Sequence, residues 1–264
     1  MTRNERRPGN EGRLPHPATS AGCALIIFAK APVVGQVKTR LCPPLTADEA
    51  ATLQGSFILD VLERSHAAIQ KFRLPITRYL ACAPSSAHIF FQIIAERHGV
   101  QLLDQIGENL GERMHTAFVT LFAQGFTQVL VIGTDVPSLP LAHYQQAVAM
   151  LSANDLVLGP AEDGGYYLVG LTRPVPELFR DISWSTDRVL AQTRERAQHA
   201  GLRTSLLPVW RDVDTIEDLQ ALIEANRRDM KEPKQQRVFS TRTGGALDMI
   251  AKRLRSRLHE SEAT

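Results

Sequence analysis

Residues 23–41 read CALIIFAKAPVVGQVKTRL, seven apolar or small residues that run into a loop containing Pro32, Gly35 and three cations, Lys30, Lys38 and Arg40. A short apolar run bounded by turn residues is the pattern of a strand buried on both faces. The sequence after it sets the fold class. Thr46 opens a helix with Asp48 and Glu49 in its first turn, as a side-chain cap and the helix dipole favour, and apolar positions Leu53, Phe57, Val61 and Leu62 carry that helix to about Gln70. Ile76–Cys82 reads as a second strand and Ala87–His98 as a second helix, followed by a short extended segment at Gln101–Asp104. Leu110–Gln124 is helical, and Gln128–Gly133 (QVLVIG) is another buried strand before a helix at Leu141–Leu151. Asp155–Gly159 and Gly165–Leu171 follow too closely for a crossover and so predict an antiparallel pair. A helix at Thr186–Ala200, a strand at Arg203–Leu207 and a helix at Ile216–Arg227 complete the pattern. Strands alternating with helices predict an α/β fold: a mainly parallel sheet covered by helices on both faces, with its ligand at the carboxyl ends of the strands.

The 264 residues hold 30 Lys+Arg, 28 Asp+Glu and 44% hydrophobic residues, which fits one ordinary domain and excludes a wholly disordered chain. No apolar run approaches the length of a membrane span. A net charge of +2 argues against a dedicated nucleic-acid binder, although both ends are basic and residues 22–227 are mildly acidic. Cys23, Cys42 and Cys82 form no C-x-x-C pair, so neither a disulfide framework nor a zinc site is expected, and a reducing cytoplasm is the default location. Residues 1–21 lack the apolar core of an export signal and read as a disordered leader, 22–227 as the domain, and 228–264 as a basic, flexible tail with a short helix inside it.

Four places after strands carry chemistry. In the first loop, Lys30, Lys38 and Arg40 around Gly35 suit a polyphosphate, although neither G-x-x-x-x-G-K-[ST] nor G-x-G-x-x-G is present and a merely solvated loop reads equally well. Asp135 follows QVLVIG and suits a divalent cation, or simply caps the next turn. Asp163-Gly164-Gly165-Tyr166 sits between two extended segments as a hairpin turn, with Asp163 available as an acceptor or general base. In Asp212-Val-Asp214-Thr215-Ile-Glu-Asp218, the Thr215/Asp218 spacing is a capping box, which leaves Asp212 and Asp214 without a structural role. Paired acids there are tolerable beside a cation, so Asp135 and Asp214 are expected to meet at one metal.

Taken together, FAKAPVVGQVKTRL, LGERM with IGTDVPSL, GPAEDGGYYLVGL with WST, and DVDTIEDL resemble, in this order, a GT-A superfamily glycosyltransferase-like family of uncharacterised function, the selenodomain-associated or arsenosugar-biosynthesis type. The likeness spans roughly residues 23–222, and the first and last segments also resemble phospholactate guanylyltransferases. The resemblance implies a nucleotide-diphospho-sugar transferase (GT-A, Rossmann-like) fold, a nucleotide donor and Mg2+ or Mn2+. It assigns donor phosphates to Lys38, Arg40 and Lys30, the nucleoside to Gly111 and Arg113, and the metal to Asp135, Asp214 and Asp212. It assigns acceptor contacts to Asp163, Gly164, Gly165, Tyr166 and Trp184, with Asp163, Lys38 and Arg40 as the catalytic groups. The motif T-D-V stands where many such folds have D-x-D. The implied reaction is glycosyl transfer from a nucleotide-sugar to a small-molecule acceptor; nucleotidyl transfer from an NTP to a phosphorylated small molecule and an inactive nucleotide-binding protein are the alternatives. No nucleic-acid partner and no membrane insertion are expected.

Overall fold

The computed structural model describes residues 22–233 and 237–262, so the expected leader at 1–21 lies outside the described residues. Seven strands form one sheet: β1 (Cys23–Lys30), β2 (Ile76–Ala83), β3 (Gln101–Asp104), β4 (Gln128–Gly133), β5 (Leu156–Pro160), β6 (Tyr166–Leu171) and β7 (Thr204–Leu206). Their order is β3-β2-β1-β4-β6-β5-β7. β6 runs antiparallel to both β4 and β5, and the remaining pairs are parallel. The close spacing of β5 and β6 in sequence is therefore the hairpin expected of it.

Strand periodicity distributes the core to two faces. Leu25 and Ile27 of β1, with Leu130 and Ile132 of β4, face the helices α1 (Ala47–Phe72), α2 (Ile89–His98) and α4 (Leu141–Leu151). The alternate residues Ala24, Ile26, Val129 and Val131 face α3 (Leu110–Ala123) and α5 (Val189–His199). Helix α1 begins at the Thr46 cap that its sequence promised, with Thr46 and Glu49 exchanging side-chain and backbone hydrogen bonds as a capping box.

The carboxyl half differs from expectation. Helix α6 (Ile216–Asp229) is followed by a second helix, α7 (Thr241–Glu262), where a flexible tail with only a short helix was expected. Leu247, Ile250 and Ala251 of α7 are buried with Leu53 and Phe57 of α1 and Leu219 and Leu222 of α6. Arg253 clamps this packing through Glu49, at 2.6 Å, and the Pro44 carbonyl, at 3.0 Å. The basic composition of the segment hid an apolar stripe at i, i+3 and i+4 spacing (Leu247, Ile250, Ala251, Leu254), which is enough to bury one helix face. The same cluster contains Leu41 and Val213, each adjacent to candidate site residues. Among the described residues, no helix is long and apolar enough to cross a membrane.

Candidate active site

The loops after β1, β3 and β4, together with the segment before α6, border a cavity of about 440 Å³ at the carboxyl edge of the sheet. Lys30, Lys38, Arg40, Asp135 and Asp214 line it, as do Phe28, Gln54, Gln105, Leu110 and Thr134. The placement follows from topology: β1, β2, β3 and β4 are parallel, so the chain leaves each of them at one edge.

Lys38 is the centre of the arrangement. Its side chain is only 4% exposed, and its Nζ lies 2.6 Å from Asp135 Oδ1 and 3.7 Å from Asp214 Oδ1. It also donates to the Val213 carbonyl at 2.6 Å and sits over the Phe57 ring. To reach this position Lys38 adopts left-handed backbone geometry, φ 50° and ψ 34°, just before a short 3-10 turn at Thr39–Leu41. For a residue with a Cβ that conformation costs about 1 kcal/mol, which the ion pairs offset. Val213 is held from both sides, since its N–H donates to the Asp135 carbonyl at 3.0 Å. The Val213 side chain is buried, and the flanking Asp214 lines the cavity.

Asp163, Asp212 and Asp214 present carboxylate oxygens all within 4.8 Å of one another, the spacing of a possible cation site. Burial, then the charges of Asp163 and Asp214, push Asp212 up to about 7, with Asp135 contributing further. Asp214 is likewise raised, by burial first and Asp135 second, while Lys38 and Arg40 pull it back. Four carboxylates thus crowd a region in which Lys38 and Arg40 are the nearby cations. Arg40 NH1 lies 3.6 Å from Asp214 Oδ2, and its side chain is 64% exposed.

This geometry revises the expected roles. Asp135 and Asp214 do converge, but it is the Lys38 ammonium that lies against both, and the carboxylate trio is completed by Asp163 instead of Asp135. Lys38 is enclosed by acids and carbonyls, so it is not a free phosphate clamp. Lys30 lines the cavity while its Nζ donates to the Gln36 carbonyl at 2.7 Å. Arg40, like Lys30, is exposed.

Other residues expected at the site have partners within the protein. Gly111 is buried, and a Cβ there would lie 2.7 Å from the Trp184 ring, so its small size serves packing between α3 and Trp184. Trp184 is half-buried against the α3–α5 face and does not line the cavity. Arg113 Nε donates to the Gly107 carbonyl at 3.0 Å, tying down the loop after β3. Gly164 has φ +88° and meets the Asp187 backbone where a Cβ would stand, whereas Gly165 N–H donates to Asp163 Oδ1 at 2.8 Å. Tyr166 buries its hydroxyl near Thr193 of α5; burial raises its pKa while Thr193 pulls it back, and the ring lines a small apolar pocket with Phe28 and Leu110. Asp163 stands among the carboxylates.

Two residues were not expected. Gln54 is 5% exposed and its Nε2 donates to the Lys30 carbonyl and Thr134 Oγ1. Gln105 Nε2 donates to the carbonyls of Ala29 and Ala81. A carboxamide inside the apolar stripe of α1, between Leu53 and Phe57, was the available signal for Gln54; for Gln105 it was a polar residue directly after β3.

A family model described as an uncharacterized protein conserved in bacteria, DUF2064, matches residues 68–186. A solved structure from Desulfovibrio desulfuricans G20, provisionally named a nucleotide-diphospho-sugar transferase, is 31% identical. It superposes with a TM-score of 0.75 over 88% of this chain and 97% of its own. A cytidylyltransferase from Leptospira borgpetersenii serovar Hardjo-bovis is similar at 15% identity and a TM-score of 0.52, over 90% of this chain and 96% of its own. At that identity the likeness is one of fold, and the fold is that of nucleotide-diphospho-sugar transferases and cytidylyltransferases. No curated protein matches.

Proposed function

The chain belongs to the DUF2064 family, and from that premise we propose that it is a divalent-cation-dependent glycosyltransferase that takes a nucleotide-diphospho-sugar donor and a small-molecule acceptor. The single observation that carries this reading is the convergence of Asp163, Asp212 and Asp214 beside the Lys38–Asp135 pair, at the rim of a donor-sized cavity.

The donor set fits Mg2+ or Mn2+. Both ions prefer carboxylate oxygens, and Asp212, pushed up to about 7 by burial first and then by the charges of Asp163 and Asp214, is a carboxylate whose ionised form a cation would stabilise. Asp163, Asp212 and Asp214 would hold the ion. When bound, it would supply charge neutralisation for the departing nucleoside diphosphate. The chain's own groups do the remainder. Lys38, fixed between Asp135 and Asp214, sets the separation of these acids and keeps the Asp212–Asp214 segment against β4. Arg40, the open cation, is available to a donor phosphate as negative charge builds on it.

The engagement of Lys30 and Lys38 within the protein favours a diphosphate over a triphosphate, because fewer free cations remain for an NTP tail. The name of the Desulfovibrio relative points the same way. The test is a thermal-shift panel of UDP-, GDP- and TDP-sugars against NTPs, with Mn2+, Mg2+ or EDTA. Stabilisation by one nucleotide-sugar that requires the ion supports the reading; stabilisation by NTPs alone replaces it with nucleotidyl transfer, and no response in any arm overturns it.

A further inference from the structure

Gln105 is bound at three points. Its backbone N–H donates to the Cys82 carbonyl at 3.1 Å, and its Nε2 donates to the Ala81 carbonyl at 2.9 Å and to the Ala29 carbonyl at 3.1 Å. Carbonyl oxygens only accept, so two of them on one carboxamide fix which end carries the NH2 group. Both amide hydrogens are thereby consumed, and the carbonyl end, Oε1, is what remains for a ligand. Among the described residues no donor reaches that oxygen. The residue lines the 440 Å³ cavity.

The loop that carries Gln105 is also rigid. Arg113 holds the Gly107 carbonyl, and Glu112 accepts from the Glu108 N–H at 2.9 Å and from the Asn109 side chain. A fixed acceptor on a braced loop presents its oxygen in one place without losing side-chain freedom on binding, which is the condition for discrimination instead of mere adhesion. Phe28, Val37 and Leu110 give the same cavity apolar wall, and Leu110 is 46% exposed. An apolar wall beside one oriented acceptor suits a planar heterocycle with an N–H on its edge.

Position along the cavity relates this acceptor to the acids. Gln105 lies over the seam between β1 and β2, whereas Asp135 leaves β4, the neighbour of β1 on the other side. Adjacent strands are spaced by about 4.8 Å, so the acceptor and the acidic cluster are separated by roughly one to two strand widths. That gap accommodates the ribose between a diphosphate and its base. We infer that Gln105 Oε1 accepts a hydrogen bond from an N–H on the nucleobase of the donor and so sets the base preference of this protein. The inference rests on the donor reading above.

The experiment titrates the full chain, with Mn2+, with pyrophosphate and with ADP, CDP, GDP and UDP by calorimetry. The wild type is expected to prefer one nucleoside diphosphate over the others and over pyrophosphate. In Gln105→Leu the preferred nucleotide should weaken by about tenfold, the loss of one hydrogen bond, while pyrophosphate stays within about twofold. Gln105→Leu leaves the Ala29 and Ala81 carbonyls unpaired. Gln105→Lys therefore serves as the second variant, with an ammonium that still donates to both carbonyls and accepts from nothing. It too should lose the preference among bases. If the ligands bind and either folded variant keeps the wild-type preference, the role of Gln105 is overturned while the donor reading stands. If no phosphate ligand binds the wild type at all, both fall together.

Discussion

Replacing Asp212 by Asn should make the ion-free protein more stable at pH 8 and abolish its response to Mn2+. The reasoning is linkage. Asp212 is raised from an ordinary value of 3.8 to about 7, by burial first and then by Asp163 and Asp214. A carboxyl whose native pKa is raised binds its proton more tightly folded than unfolded. Its favourable contribution is therefore full below the unfolded value and is lost as pH rises through about 7. Three pKa units correspond to about 4 kcal/mol, and partial exposure to solvent cuts this to about 2 kcal/mol. Asparagine keeps the shape and removes the charge, so it should recover that amount at pH 8, about 4–8 °C in Tm for a domain of this size. At pH 4.5 the wild-type group is already protonated in the native state, and the gain should shrink below about 1 kcal/mol. Thermal unfolding with EDTA at the two pH values measures this, and a repeat with Mn2+ at pH 8 should raise the Tm of the wild type and not of Asp212→Asn. A gain at pH 8 no larger than the gain at pH 4.5 would refute the claim that the acids repel one another in the folded protein.

Manganese affinity of the wild type should rise between pH 6 and pH 8 with a midpoint near 7, because the ion competes with the Asp212 proton; a flat calorimetric profile over that range contradicts the carboxylate site. Lys38→Met should destabilise the protein by about 2 kcal/mol in chemical denaturation, since it leaves Asp135, Asp214 and the Val213 carbonyl without their shared cation. Gly111→Ala should cost about 1–3 kcal/mol by driving a methyl into Trp184, and nucleotide affinity per folded molecule should stay unchanged. Iodoacetamide at pH 8 should label Cys42 and spare Cys23 and Cys82, whose buried thiols are both pushed up to about 12, as peptide mass mapping of the native protein will show.

The fold was legible because its signals are local. CALIIFA and QVLVIG are apolar throughout, which only a strand covered on both faces requires, and Thr46 and Thr215 each begin a helix with a capping box visible as a spacing of three. The order of acids along the chain was legible too. What the sequence concealed was pairing through space. Nothing in VKTRL distinguishes a lysine that meets phosphate from one that turns left-handed and buries itself against Asp135. Asp163 looked like part of the hairpin it terminates, and only the superposition of that hairpin on the Asp212–Asp214 segment makes it a third carboxylate. Gly111 and Trp184 lie 73 positions apart in sequence and meet by packing, which no single motif records. A short helix in the basic tail was legible, but not its full extent or its docking: the nine-residue stretch from Ala246 to Leu254 buries one face against α1 and α6 although the tail around it is basic.

One reversed strand explains how acids so distant in sequence reach one place. β4, β5 and β7 all end at the same edge, because β6 is antiparallel to its neighbours on both sides. A strand that runs backwards must begin where its predecessor stopped, so the β5–β6 turn, with Asp163, lies at the carboxyl edge beside Asp135. The chain leaving β7 arrives at that edge too, and the Val213 N–H and carbonyl then anchor it to the Asp135 carbonyl and Lys38. Were β6 parallel, a crossover would be needed between it and β5, and Asp163 would have no reason to lie at the cluster. The acidity of the site is thus a consequence of topology, and the burial of Lys38 is its electrostatic condition: without a cation held between them, the acids of the β4 loop and the α6 approach would repel across the distance the sheet imposes.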